Sequence, residues 1–374
     1  MSVISSASGL SALQQRLRFA ASNCPNPLVF AENVPQLERR DHAPIVDWDE
    51  VGKYGDSVGQ AALLGALGQR EGKKYGWRPP QDRMMLTHGA SGGLSLVLGW
   101  LRRRHTAFIG HAPMLRSIAE LAEACGYAMA FEPELERLIE RLSAREVAPS
   151  VVYLCSPANP SGVTISAEQW RTLAALAMRG GHTLLVDQVY DDFVYAGVAE
   201  SITGQDCDPD RFFCCNSFSK NYAAPGLRIG WMIGSKPAIQ ALTGLWERRG
   251  ICLAGPSQSL ALALLEGDNQ GLVADADDRR RQVRAWLAER SIPLAPCDAG
   301  LQTLLPITRG RAEWFADHLL TEHALVVTTS SNYAGVDQEF IRLPFGYSEP
   351  VTTRALEILA LELRRCNLDG AFGR

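Results

Sequence analysis

The chain has 374 residues, 46% hydrophobic and 21% charged, enough to bury a large core and a smaller second one. A formal net charge of -4 gives no basis for binding nucleic acid or an anionic membrane. The nine cysteines are odd in number and scattered, with Cys214-Cys215 inside an apolar run, so they read as reduced buried thiols rather than a disulfide framework or zinc site. The start, Met1-Ser2-Val3-Ile4-Ser5-Ser6, lacks a basic stretch followed by an apolar core, and no apolar run is long enough to span a bilayer. A cytoplasmic enzyme is the expectation.

Residues 1–49 read as an irregular arm with one short amphipathic piece around 10–18. A helical pattern covers 59–71, then a strand 84–87 and a helix 91–103 with apolar Leu94, Val97, Leu98 and Leu101. Strands at 106–109, 128–131, 151–154 and 182–186 alternate with helices at 115–124, 134–143 and 169–178. Phe212-Phe213-Cys214-Cys215 is a buried strand, and residues 228–234 form another after a Pro-Gly turn. This alternation predicts an α/β fold over residues 50–255, a mostly parallel central sheet with helices on both faces. Beyond 236–247 and a hinge near Ala254-Gly255-Pro256 come helices at 258–266 and 277–289. Strands near 302–306, 325–327 and 339–343, with helices near 312–320 and 351–363, make residues 256–374 a smaller α+β domain.

The chemistry gathers between residues 216 and 231. Lys220 falls on a loop between two strands, with Ser217 and Ser219 just before it and Arg228 just after. Burial disfavours an ammonium, so a lysine in an apolar loop can lose its proton and attack an aldehyde. Two hydroxyls and a planar guanidinium suit a phosphate. An aldehyde and a phosphate in one ligand describe pyridoxal 5'-phosphate (PLP). Taken alone, this stretch is more plainly a surface lysine in a polar loop. Asp187 ends the buried strand Leu184-Leu185-Val186, where open α/β sheets place ligands, and a carboxylate there can keep a pyridine nitrogen protonated. By itself it is equally a helix cap or turn residue. Asn159, in Ser156-Pro157-Ala158-Asn159-Pro160-Ser161-Gly162, is held by a rigid loop and could donate to a phenolic oxygen, or mark an ordinary turn. In Thr87-His88-Gly89-Ala90-Ser91-Gly92-Gly93-Leu94, a small-residue turn opens a helix whose first N–H groups form an anion site, though such turns are common.

In this order, these segments resemble the fold-type I PLP-dependent aminotransferases of class I/II, the aspartate-aminotransferase-like superfamily, across residues 53–345. Further marks are Tyr54 with Gly59, Tyr190 after Asp187, Gly226-Leu227-Arg228-Ile229-Gly230 and Arg342. The resemblance implies a PLP-transferase fold with a Schiff base on Lys220, a ring-nitrogen partner in Asp187, and phenolic-oxygen donors in Asn159 and Tyr190. It implies phosphate ligands at Ala90, Ser91, Ser217, Ser219 and Arg228. Arg342 would fork the substrate α-carboxylate, beside Asn159. Tyr54 would reach the phosphate of a neighbouring subunit, which implies a homodimer with shared sites.

Two places depart from the family pattern. Leu115, in Pro113-Met114-Leu115, stands where an aromatic ring usually stacks on PLP, with His111 and Met114 as substitutes. Thr328-Thr329-Ser330-Ser331-Asn332-Tyr333 replaces a Pro-Gly turn beside the substrate. The scaffold serves several reactions. The expectation is transfer of an amino group from an L-amino acid to a 2-oxo acid. The alternative is a lyase, cyclase or decarboxylase of the capreomycidine-synthase-like kind. A non-catalytic ligand sensor would need a DNA-binding domain, and the residues before Tyr54 are too few and too weakly basic for one.

Overall fold

The computed structural model describes residues 4, 10–36, 48–144, 146–295 and 297–368. The expected arm at 37–47, and all but Ile4 of the first six residues, lie outside them. The strands in chain order are β1 (Leu28–Phe30), β2 (Met84–His88), β3 (Ala107–His111), β4 (Met114–Leu115), β5 (Ala128–Glu132), β6 (Ser150–Cys155) and β7 (Thr183–Asp187). They continue with β8 (Phe212–Ser217), β9 (Ile229–Ile233), β10 (Gln302–Pro306), β11 (Leu325–Thr329), β12 (Tyr333–Ala334) and β13 (Phe340–Pro344).

Seven strands form the central sheet in the order β2-β9-β8-β7-β6-β3-β5, and only β9 runs antiparallel to its neighbours. Successive side chains of a strand leave opposite faces. Leu184 and Val186 therefore enter one core with Leu63 and Trp170, while Leu185 and Phe213 enter the other with Leu94 and Val97. Both faces are covered, which is why these strands look like continuous apolar runs. The helix Ala167–Gly180 supplies Trp170 and is delimited as its sequence dictates. A Ser166–Gln169 capping box opens it, and Gly181 closes it in the left-handed region at φ 68°.

The smaller sheet has the order β1-β11-β13-β10. The helices Ala312–His323 and Glu349–Arg365 share a third apolar core with it, through Phe315, Leu319, Ile341, Leu343 and Leu359. The arm is more regular than its sequence suggested. Its helix Ala12–Asn23 packs on β11, and β1 pairs in parallel with β11. The buried Arg16 holds the arm through Glu313 at 2.8 Å and Asp317 at 2.9 Å. The amphipathic piece around 10–18 announced the helix, while β1 is ordered by its distant pairing with β11. The helix Gly255–Glu266 packs on Ala61–Tyr75, and the following Gln270–Ala288 runs from the core of Leu94 and Val97 to that of the smaller sheet, burying Ala276 in the former and Trp286 and Leu287 in the latter.

Two local elements differ from the sequence reading. Lys220 sits on one helical turn, Phe218–Asn221, rather than an open loop, and a single turn is too short to show a period. Met114–Leu115 is a strand paired with Tyr333–Ala334, so the helix begins at Arg116.

Gly230 lies where β9 passes under the start of the helix Gly89–Leu101. A Cβ there would meet the Asn216 carbonyl oxygen at 2.6 Å and the Gly89 carbonyl carbon at 2.7 Å. Both are backbone atoms, so relief requires moving a strand or the helix. Gly230→Ala should cost about 1–3 kcal/mol in denaturant unfolding, and an unchanged midpoint would contradict this packing.

Candidate active site

The carboxyl ends of β2, β6, β7 and β8 lie at one edge of the central sheet, and a cavity of about 430 Å³ opens there, closed on the far side by Arg342 of β13. Its floor is Asp187. The carboxylate accepts from the Tyr153 hydroxyl at 3.2 Å and from the Val189 N–H at 3.2 Å. Burial raises its pKa to about 6, against the pull of those two donors and the Lys220 charge. Lys220 lies in the same cavity. Burial, helped by the charge of Arg342, brings its amine down to about 8, while Glu32 and Asp187 pull the other way.

The turn that carries Lys220 is anchored from behind. The Asn221 amide donates to Asp191 at 2.6 Å, and Asp191 accepts from Arg70 at 2.8 Å and from the Tyr75 hydroxyl at 2.7 Å. Arg70 in turn lies over the Trp231 ring at 5.2 Å. A buried guanidinium with paired carboxylates and a ring face leaves little freedom for the turn it braces.

Another rim of the cavity gathers hydrogen-bond donors. Ala90 and Ser91 begin the helix Gly89–Leu101, whose first N–H groups have no partner inside the helix. Ser217, Ser219 and Arg228 join them. Gly89 holds φ +65°, and a Cβ on it would lie 2.5 Å from Arg228 Nη2, so a side chain would fill the space the guanidinium uses. Arg228 itself holds φ 54°, and its Nη1 donates to the Pro225 carbonyl at 2.9 Å. An arginine in the left-handed region is a strained arrangement found where a function fixes the side chain.

At the third side, Arg342 is buried and donates to the Tyr333 hydroxyl at 2.9 Å and to the Ala31 carbonyl. Tyr333 donates to Asn159 at 3.0 Å, and the Asn159 amide donates to Tyr190 at 3.3 Å. Asn33 also donates to the Tyr190 hydroxyl, at 3.3 Å.

Eleven of the twelve residues singled out from sequence thus line one cavity, including Leu115. The twelfth, Tyr54, is 81% exposed and outside it. Neither His111 nor Met114 lines the cavity; Leu115 and Ile118 do. Met114 is instead buried in the apolar core, as its place between two sheet segments requires. Tyr153, Glu32 and Asn33 are site residues the sequence reading missed. Tyr153 carried a signal: a tyrosine in a fully buried strand needs a partner for its hydroxyl. Glu32 and Asn33 carried none, because they reach the site only through the pairing of β1 with β11.

Comparison with known proteins shows the family and the fold. The family model "Aminotransferase class I and II" matches residues 18–359. The chain is 31% identical over 368 residues to an L-aspartate:5-guanidino-3-methyl-2-oxopentanoate transaminase of Pseudomonas syringae pv. syringae, covering 95% of each. It is 31% identical over 369 residues to the 3-methylarginine biosynthesis aminotransferase ArgM of Streptomyces arginensis, covering 97% of this chain and all of that one, 100%. The crystal structure of aspartate aminotransferase from Thermotoga maritima superposes with a TM-score of 0.82 at 22% identity, covering 95% and 97% of the two chains. The chain belongs to the class I and II aminotransferases, a PLP-dependent family, and has the aspartate-aminotransferase fold. Among the described residues no helix is long and apolar enough to cross a membrane.

The lowered amine of Lys220 has a direct consequence. Only the neutral amine attacks an aldehyde, so reaction of Lys220 with a small aldehyde should accelerate with pH through a midpoint near 8 instead of the ordinary lysine value of 10.5. A rate still climbing steadily from pH 9 to about 10.5 would mean that the cavity does not desolvate this amine.

Proposed function

We propose that Lys220 bonds to PLP in this cavity, and that the enzyme moves the amino group of an L-amino acid to a 2-oxo acid. The juxtaposition of Lys220 with Asp187, the anion cradle and Arg342 carries the reading. The residues present fit the cofactor. The cradle at Ala90, Ser91, Ser217, Ser219 and Arg228 would take its phosphate, Asp187 its ring nitrogen, and Asn159 with Tyr190 its phenolic oxygen. Leu115 would pack against the ring. When bound, PLP supplies an electron sink that weakens the bonds at the substrate Cα.

The protein supplies orientation and protons. Arg342 would take the α-carboxylate in a bidentate fork, which sets the angle of the Cα–H bond. Lys220 would be the base that carries the Cα proton, and a pKa brought down to about 8 suits that task. Asp187 would hold the ring-nitrogen proton in place.

The two relatives are transaminases by name, one acting on a guanidino-bearing 2-oxo acid and the other serving 3-methylarginine biosynthesis. They support a substrate with a guanidino side chain here, and they weigh against the lyase, cyclase or decarboxylase alternative. A second copy of the chain is part of the proposal. Trp48, Val51, Tyr54 and Ile251 are exposed by 77, 52, 81 and 47%. They belong to neighbouring segments, since the helix Trp48–Val51 packs on Gly255–Glu266 and the Gly55 N–H meets Cys252 Sγ at 3.3 Å. A dimer that covers this patch would carry Tyr54 to the partner's cavity.

Three measurements test the reading. One turnover with the amino donor alone should release one 2-oxo acid per site, a second 2-oxo acid should restore the starting spectrum, and kinetics should be ping-pong. Sustained turnover with a single substrate would overturn it. Asp187→Ala should keep the cofactor but lose about 2–4 kcal/mol of transition-state stabilisation; near-normal turnover would give the ring nitrogen another partner. Mixing Tyr54→Phe with Lys220→Ala subunits should yield heterodimers with one wholly wild-type site, and a stable active monomer would contradict the shared site.

A further inference from the structure

The cavity walls hold an uneven set of charges. Lys220, Arg228 and Arg342 are basic, and among the described residues only two acids line it, Asp187 and Glu32. Asp187 lies at the floor with both oxygens accepting hydrogen bonds. Glu32 is different: it is exposed, and among the described residues no hydrogen bond or ion pair engages its carboxylate.

Its backbone, by contrast, is pinned on every side. The Ala31 carbonyl accepts from Arg342 and, at 2.8 Å, from the Thr328 hydroxyl. The Glu32 N–H donates to the Tyr347 hydroxyl at 2.9 Å. The Asn33 amide donates to Tyr190 at 3.3 Å and to Gln302. A carboxylate on a clamped backbone, facing a cavity and unspent on the fold, is preorganised for a cation that enters with the ligand. Its distance along the chain matters too. Glu32 follows the residue whose carbonyl holds Arg342, and adjacent Cα atoms are about 3.8 Å apart. Glu32 and Arg342 line the same cavity, so one ligand can meet both.

We propose that Glu32 is a specificity-determining residue, whose carboxylate receives the cationic distal group of the substrate, a guanidinium or an amine. This deepens the aminotransferase reading above and rests on it. A planar guanidinium would meet the carboxylate in two parallel N–H···O bonds. Such a charged pair at the mouth of a cavity should favour the cationic ligand on the order of 10- to 100-fold.

The test uses the PLP-loaded enzyme and ligands that cannot react. 5-Guanidinopentanoic acid carries a carboxylate and a guanidinium but no α-amine, and hexanoic acid lacks the cation. Calorimetric titration should show the guanidino acid binding wild type at least about tenfold tighter. Glu32→Gln should close that gap to within about twofold, and Glu32→Lys should shift preference towards adipic acid, a gain that misfolding cannot mimic. A gap that survives in Glu32→Gln, or is missing in wild type, overturns the assignment. Single-turnover release of 2-oxo acid by wild type is measured alongside. If it occurs and the gap is insensitive to Glu32, only this inference falls; if no amino acid supports it, the aminotransferase reading falls and this inference with it.

Discussion

The site depends first on the register of three parallel strands. Cys155 of β6 lies beside Asp187 of β7, which lies beside Cys215 of β8, so the three carboxyl ends stop at one level. Asp187 lies at that level, and Asn159 and Lys220 follow beyond it. Side chains alternate with a period of two, so a one-residue slip of β7 would turn Asp187 into the opposite core and bring Val186 to the floor. Apolar side chains on both faces oppose the slip. Leu184 and Val186 fill one core and Leu185 the other, each burial contributing about 1.5–3 kcal/mol. The apolar sheet thus stabilises a carboxylate position that would be costly on its own.

That cost is legible in the chemistry. Burial pushes Asp187 up to about 6 and Lys220 down to about 8, opposite shifts from one cause. In water both groups would be ionised and inert at neutral pH; in the cavity both stand near the range where proton transfer is useful. Tyr153 and the Val189 N–H keep Asp187 from rising further. The supporting donors therefore tune the acid as well as orient it.

Much of this could be read from sequence, because the central strands announce themselves as apolar runs and the loops after them carry paired prolines, glycines and hydroxyls. Asp187, Lys220, Arg228 and Asn159 each follow such a strand, so order along the chain placed them at one edge. What stayed hidden was whatever depends on partners far apart in sequence. Leu115 and the 328–333 loop looked like two separate departures from the family pattern. They are one unit, since Tyr333 pairs directly with Leu115 across β4 and β12. The loop's hydroxyls are largely spent on the fold: Thr328 donates to Ala31, and Thr329 to Glu313. Its tyrosine does not line the cavity but bonds Asn159 and Arg342, which do.

Tyr333 also gives the polar network a direction. Arg342 can only donate, so the Tyr333 oxygen must accept from it, at 2.9 Å. Tyr333 then has its proton free for the Asn159 carbonyl oxygen, at 3.0 Å, which fixes how that amide is turned. The Asn159 amide nitrogen consequently faces Tyr190, at 3.3 Å, and Asn33 adds a second donor to the same oxygen, also at 3.3 Å. With both lone pairs of Tyr190 taken, its own proton is the one group left to offer. Burial holds that phenol above its ordinary pKa, so the proton stays on. The chain of bonds that begins at a guanidinium in the small sheet therefore ends in a hydroxyl donor in the turn after β7. An electron-rich ligand oxygen placed there meets a donor whose orientation was set three residues away, and each link polarises the next in the same sense.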